Sequence, residues 1–191
     1  STSAGTTVNA GGTLALAGGI TFAAEALTIN GTGYENNGAL RNASGANTWV
    51  GNVALGTAGT NTIGVDGASS LNVSGVVSGA SGNNLDKVGT GLLTLSGVNT
   101  YSGSTTISAG TLAVGADSGL GTAPGAATAG HLAFDGGTLQ TTATMTLNAN
   151  RGIALGASGG TITTDAGTTL TYNGVAAGTG ALDKSGTGTL V

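Results

Sequence analysis

The chain has 191 residues, 39 of them glycine, with 6% charged residues, a formal net charge of -4 and a mean hydropathy of +0.26. Low charge with positive hydropathy excludes a disordered polar chain, and four scattered cations (Arg41, Lys87, Arg151, Lys184) exclude a phosphate-binding patch and so nucleic acid as a partner. Cysteine is absent, which excludes disulfides, thiolate metal sites and cysteine nucleophiles, and no apolar run reaches the ~18 residues of a membrane helix.

Ser1 is not followed by a charged n-region and an apolar h-region, so an export signal, for an exported protein, is expected upstream. From there on, no window carries an apolar 3.6-residue stripe long enough for a helix. What recurs is an apolar-x-apolar triplet, which points two side chains to one side of a strand and a small or polar one to the other. In chain order these are Leu14–Leu16, Leu27–Ile29, Val53–Leu55, Ile63–Val65, Leu71–Val73 and Leu93–Leu95. Then come Leu112–Val114, Leu132–Phe134, Met145–Leu147, Ile153–Leu155 and Leu170–Tyr172. Glycine turns precede several of them, as in Gly110-Thr111-Leu112 and Gly136-Gly137-Thr138-Leu139. Strands this short are unstable alone but bury an apolar face when stacked into a continuous sheet.

The chain also repeats itself. Leu71–Val76 recurs at Leu170–Val175, 99 residues on, and Leu85–Gly91 (LDKVGTG) recurs at Leu182–Gly188 (LDKSGTG), 97 residues on. The two-residue loss marks Gly79–Asn84 as a loop. Ser3–Leu16 matches Ser102–Val114, and Asn47–Gly51 is echoed by Asn99–Gly103, which gives Trp49 and Tyr101 equivalent places. These matches describe residues 1–191 as a single segment of a longer array, with internal repeats 3–16 on 102–114 and 71–91 on 170–188, and with its ends inside repeats.

The stretch Leu85–Gly115, LDKVGTGLLTLSGVNTYSGSTTISAGTLAVG, resembles the passenger-associated transport repeat (autotransporter-associated β-strand repeat), and Leu182–Val191 resembles the opening of a truncated second copy. The segments Leu27–Leu55 and Leu132–Leu155 resemble those between such repeats. The resemblance implies an all-β, right-handed parallel β-helix, a β-solenoid exported through an outer-membrane β-barrel translocator that belongs to the same full-length chain. Coils of ~20–25 residues give roughly eight coils here, and ~4.8 Å per coil gives a rod of about 40 Å.

Candidate chemistry is thin. His131 is the lone histidine, and alternation sets it opposite Leu132 and Phe134, on the surface. No nucleophile-elbow serine accompanies it. The carboxylates Glu25, Glu35, Asp66, Asp86, Asp117, Asp135, Asp165 and Asp183 could meet across coils as a glycan-cleaving pair. Asp86 and Asp183, however, sit in the repeated Leu-Asp-Lys element, where pairing with Lys87 and Lys184 or turn formation is expected. Aromatic residues are 3%, few for a sugar cleft. Gly64–Gly67 and Phe134–Gly137 lack the register of a calcium-binding nonapeptide. Trp49 and Tyr101 read as corner or core rings stacked on the coil below, and the threonines around Thr142–Thr146 face outward without the regular Thr-x-Thr of an ice-binding face.

The expected function is structural: a stalk or passenger segment of a secreted or surface-displayed bacterial protein, supporting export, projection and adhesion, with no catalytic, cofactor-binding or metal site. The alternatives are a β-helical carbohydrate-binding or glycan-cleaving module and a self-associating, filament-forming solenoid. A host-surface ligand or a second copy would then be the partner.

Overall fold

In the computed structural model, which describes residues 5–191, short strands separated by glycine-rich corners wind into eight stacked coils. The first coil holds β1 (Thr6–Val8), β2 (Leu14–Leu16) and β3 (Thr21–Phe22); the second β4 (Leu27–Ile29), β5 (Leu40–Asn42) and β6 (Ala46–Trp49). The third holds β7 (Val53–Leu55), β8 (Gly59–Val65) and β9 (Ser70–Val73); the fourth β10 (Val77–Ser78), β11 (Asn83–Val88) and β12 (Leu92–Leu95). Two coils then carry only two strands each: β13 (Thr105–Ile107) with β14 (Thr111–Val114), and β15 (Thr128–Phe134) with β16 (Thr138–Thr141). Three-strand coils resume with β17 (Met145–Leu147), β18 (Arg151–Leu155) and β19 (Gly160–Thr164), then β20 (Thr169–Tyr172), β21 (Ala176–Gly178) and β22 (Leu182–Ser185). β23 (Thr189–Leu190) opens the next turn.

The strands stack in parallel on three faces. The second face runs unbroken from β2 through β5, β8, β11, β13, β15 and β18 to β21, and the third from β3 to β22. The first face runs from β1 to β10, loses its strand for two coils, and resumes as β17, β20 and β23. The expected parallel β-solenoid of about eight turns is thus the fold. On the second face Ile63 lies over Leu40, Lys87 over Ile63 and Ile107 over Lys87, steps of 23, 24 and 20 residues. The next step, from Ile107 to Phe134, takes 27 residues and carries a 3₁₀ turn at Asp117–Leu120.

All eleven triplets lie within strands, and the inward side chains form one continuous core. The third face stacks Leu71, Leu93, Leu112, Leu139 and Ile162 directly on one another. Each such side chain, removed from water, stabilises the fold by roughly 1.5–3 kcal/mol. Asn83 and Asn84 lie in β11 and not in the expected loop, which shortens to residues 79–82.

The sequence matches meet the three faces with a consistent offset. Leu71–Val73 is on the third face and Leu170–Tyr172 on the first. Likewise β11 is on the second and β22 on the third, and β13 and β14 are one face on from β1 and β2. Ser3 and Ala4 of the last match lie outside the described residues. Trp49 is on the third face, whereas Tyr101 lies on the first, where its N–H donates to the Val77 carbonyl at 3.3 Å. Both rings are buried, and Trp49 stacks on Phe22 of the coil below at 5.6 Å. Matched strands therefore advance round the rod by a third of a turn.

Candidate functional site: a buried arginine where one face loses its strand

Where the first face has no strand, its place is taken by residues 96–104 and 115–127. Thr100 N–H donates to the Val77 carbonyl at 2.9 Å, Asn99 N–H to Ser118 at 3.0 Å, and Asn148 N–H to Asp117 Oδ1 at 2.9 Å. That chain of bonds carries the face across the gap without a ladder. Asn99 stitches both sides: its Oδ1 accepts from Val77 N–H at 2.8 Å and its Nδ2 donates to Gly119 at 2.7 Å. At the turn's end Gly121 has φ 74°, and a Cβ there would stand 2.3 Å from the Tyr101 carbonyl oxygen. This corner needs glycine.

Arg151 fills the interior at this gap and is 1% exposed. Nε and Nη2 donate to the Asp117 carboxylate at 2.9 and 3.1 Å. Nη1 reaches the Leu120 carbonyl at 2.9 Å and Nη2 the Gly121 carbonyl at 2.5 Å. Nη1 also lies 3.3 Å from His131 Nδ1. A buried guanidinium thereby satisfies the carbonyls that a missing strand leaves over, and Asp117 balances its charge. Tyr101, fully buried alongside, shares a 2.7 Å hydrogen bond with Thr105 Oγ1, and burial pushes its hydroxyl up to about 12.

His131 is buried, not on the surface as alternation suggests. A register shift between Thr128 and Leu132 breaks the alternation, so His131 and Leu132 are both buried. Burial, and then the Arg151 charge, hold the imidazole below its ordinary value. A neutral ring whose Nδ1 faces an arginine donor is an acceptor there. Among the described residues no serine or threonine hydroxyl is hydrogen-bonded to it.

The Leu-Asp-Lys elements lie in strands β11 and β22, and their lysines bond carbonyls of the turn that follows, not the adjacent aspartates. Lys87 is fully buried and donates to the carbonyls of Val88 (2.9 Å), Gly89 (2.6 Å) and Ala109 (3.1 Å), while Asp86 accepts from Ser108 Oγ at 2.7 Å. Three carbonyls match the three donors of an ammonium, although burial brings the amine down to about 8. Lys184 repeats the arrangement with Ser185 and with Gly186 at 3.0 Å, on the exposed last coil. Gly89 and Gly186 both take positive φ, 73° and 71°, which turns their carbonyls toward the lysine.

The other carboxylates are dispersed round the rod. Asp66 forms an ion pair with Arg41 at 2.6 Å, Asp165 accepts from Gln140 at 2.8 Å, Asp135 from Ser158 N–H at 3.1 Å and Glu25 from Thr6 at 2.5 Å. These bonds tie neighbouring coils. Among the described residues no group of three or more His, Asp or Glu side chains is placed to hold a metal ion. A notch of about 230 Å³ at the gap, lined by Ser96, Gly97, Val98, Gly115, Ala116 and Thr142 among others, has no titratable side chain in its wall.

Arg151 and Asp117 were not legible as a pair, being 34 residues apart. Half the signal was present: Arg151, Ile153 and Leu155 alternate, as do Leu85 and Lys87, so both cations fall on the core side of their strands.

This is a solenoid whose faces are held by backbone ladders and whose one gap is closed by buried polar side chains. Its segment Leu85–Val114, from the lysine turn to the strand before the gap's 3₁₀ turn, matches the family model of the passenger-associated-transport-repeat. A 62-residue stretch, 32% of this chain and 2% of the relative, is 48% identical to a protein from Brucella suis biovar 1 (strain 1330) described as "Adhesin BmaC autotransporter". The chain thus spans a small part of that relative's length. No solved structure matches it. The chain thus carries a passenger-associated-transport-repeat at residues 85–114, and both matches support an autotransporter passenger segment, of the kind exported across the outer membrane to the cell surface or released.

Proposed function

We propose that this segment is a stalk: a rod of stacked coils that supports export and projects other parts of the passenger away from the cell, without catalysis and without a cofactor or metal. The observation that carries it is the single core and the unbroken ladders of the second and third faces through eight coils. Each coil offers the next an edge of backbone donors and acceptors on at least two faces, so folding outside the cell proceeds coil on coil and opposes backsliding. Matches at 97–99 residues support modules within a longer array. In the full-length chain, a β-barrel translocator would be the export partner.

Adhesion is a second role favoured by one surface. The middle column of the third face stacks the partly exposed, uncharged Thr48, Asn72, Thr94, Gln140 and Thr163, with Ala113 buried among them, at ~4.8 Å spacing. The adhesin name of the relative supports such a contact face.

Circular dichroism with limited proteolysis tests the stalk. The purified chain is expected to give a β-rich spectrum and to resist protease up to a cooperative transition. Ready cleavage without a β signal sinks the reading, as would glycan cleavage that disappears on changing one carboxylate.

A further inference from the structure

The lone histidine is buried against a cation in the middle of the rod. His131 is 6% exposed, its Nδ1 lies 3.3 Å from Arg151 Nη1, and its Nε2 is buried with no hydrogen-bond partner. An imidazolium has two N–H donors and no acceptor. In this site one donor would face a guanidinium N–H and the other would find nothing. Two positive charges would also sit together away from water. Arg151 and Asp117 are the charged groups that act on the ring, and Tyr101 faces the same pair from residues 96–104. Burial and the Arg151 charge oppose the proton, and they outweigh the Ser102 backbone and Asp117, which favour it. The Asp117 carboxylate is already engaged by Arg151 and by Asn148 N–H.

Which piece yields to a proton depends on how each is held. His131 and Arg151 are on β15 and β18, bonded to each other and to β13 in the second-face ladder. Residues 115–127 belong to no ladder. The 3₁₀ turn within them is held by Arg151 at Asp117, Leu120 and Gly121, and by Asn99 at Ser118 and Gly119. Beyond it, Thr122 N–H donates to the Tyr101 carbonyl at 2.8 Å, and Asn150 Nδ2 to the Pro124 carbonyl at 3.0 Å. Lifting this segment admits water to both cations and screens their repulsion, while the ladders of the second and third faces run on unbroken. A segment held by a few side-chain bonds opens locally, without global unfolding.

We propose that residues 115–127 form an acid-released seam in the rod. A proton on His131 sets the ring against Arg151, the Arg151–Asp117 cluster lets go of the turn, and the rod gains a hinge between its fifth and sixth coils. Opening takes up one proton, so its equilibrium rises roughly tenfold per pH unit below the ordinary histidine value of 6.5, until the closed state protonates as well. Neutral conditions keep the seam shut.

Segment-resolved hydrogen exchange of the 191-residue chain at about pH 7.5 and about pH 5, expressed as protection relative to the unstructured rate, tests this. Protection of residues 115–127 is expected to fall roughly tenfold at the lower pH, while β5 to β12 keep theirs. His131→Gln retains an acceptor for Arg151 and carries no titratable group, so it is expected to abolish the loss. An NMR titration of the parent chain gives a second readout that needs no variant. The lone histidine supplies one ring signal, and its protonation should track the loss of protection at the seam. Equal protection at the two pH values overturns the proposal, and so does a loss spread evenly along the rod. A pH response that survives in His131→Gln overturns it too, as does a ring that protonates while the seam stays protected.

Discussion

Single side chains in this solenoid are judged by the column they stack in. Thr141 and Thr164 continue the interior column of Val73, Leu95 and Val114, and their hydroxyls have no hydrogen-bond partner. A buried hydroxyl without a partner costs about 1–3 kcal/mol. Thr141→Val keeps the shape and removes that cost. It is expected to stabilise the chain by roughly 1 kcal/mol, read as a higher denaturation midpoint at unchanged slope. A lower midpoint would mean that the hydroxyl is bonded in solution. Trp49 Nε1 is a further unpartnered donor in the same column, and its stacking on Phe22 offsets some of that cost.

At the scale of elements, the gap in the first face replaces backbone ladders by side chains. Two coils without a first-face strand leave carbonyls at Leu120 and Gly121 facing inward, and Arg151 takes both while Asp117 neutralises it. Removing Arg151 leaves Asp117, a quarter exposed, without its partner and the Leu120 and Gly121 carbonyls buried without a donor, at about 1–3 kcal/mol for each unsatisfied group. Arg151→Met is expected to destabilise by that order. Hydrogen exchange should rise first at β17 and the Asp117–Leu120 turn, and a uniform rise along the rod would contradict a local role. Arg41 with Asp66, about one-third exposed, makes the instructive contrast: an exposed pair is worth only ~0–1 kcal/mol.

Across the whole molecule, few ionisable groups are buried, so stability should depend on pH through a handful of residues. Burial lowers Lys87 from 10.5 to about 8. Between those values the unfolded chain holds a proton that the folded chain has released, so stability rises with pH across that window. Tyr101 is raised from 10.0 to about 12, so the folded chain keeps a proton that the unfolded chain loses, and stability falls above pH 10. His131 is lowered from 6.5, so acidification below that value protonates the unfolded chain first and destabilises the fold. Denaturation midpoints from pH 5 to 11 are expected to peak near pH 10, and the rise above pH 8 should vanish in Lys87→Met. A rise that persists in that variant would assign it to another group.

Much of this was readable before any coordinates. Two-residue alternation with glycine corners dictates short strands, and strands that cannot bury their faces alone must stack; the parallel winding and the coil number were what the resemblance of Leu85–Gly115 to a known repeat implied. The repeated Leu85–Gly91 and Leu182–Gly188 elements likewise announced lysines in equivalent surroundings. Tertiary structure alone decided what those surroundings are. Partners in a solenoid sit one coil away, 19 to 34 residues along the chain, so Asp117 with Arg151 and Lys87 with Ala109 have no local signature. The same distance decided which side His131 takes, because one shifted register in β15 turns a surface position into a buried one.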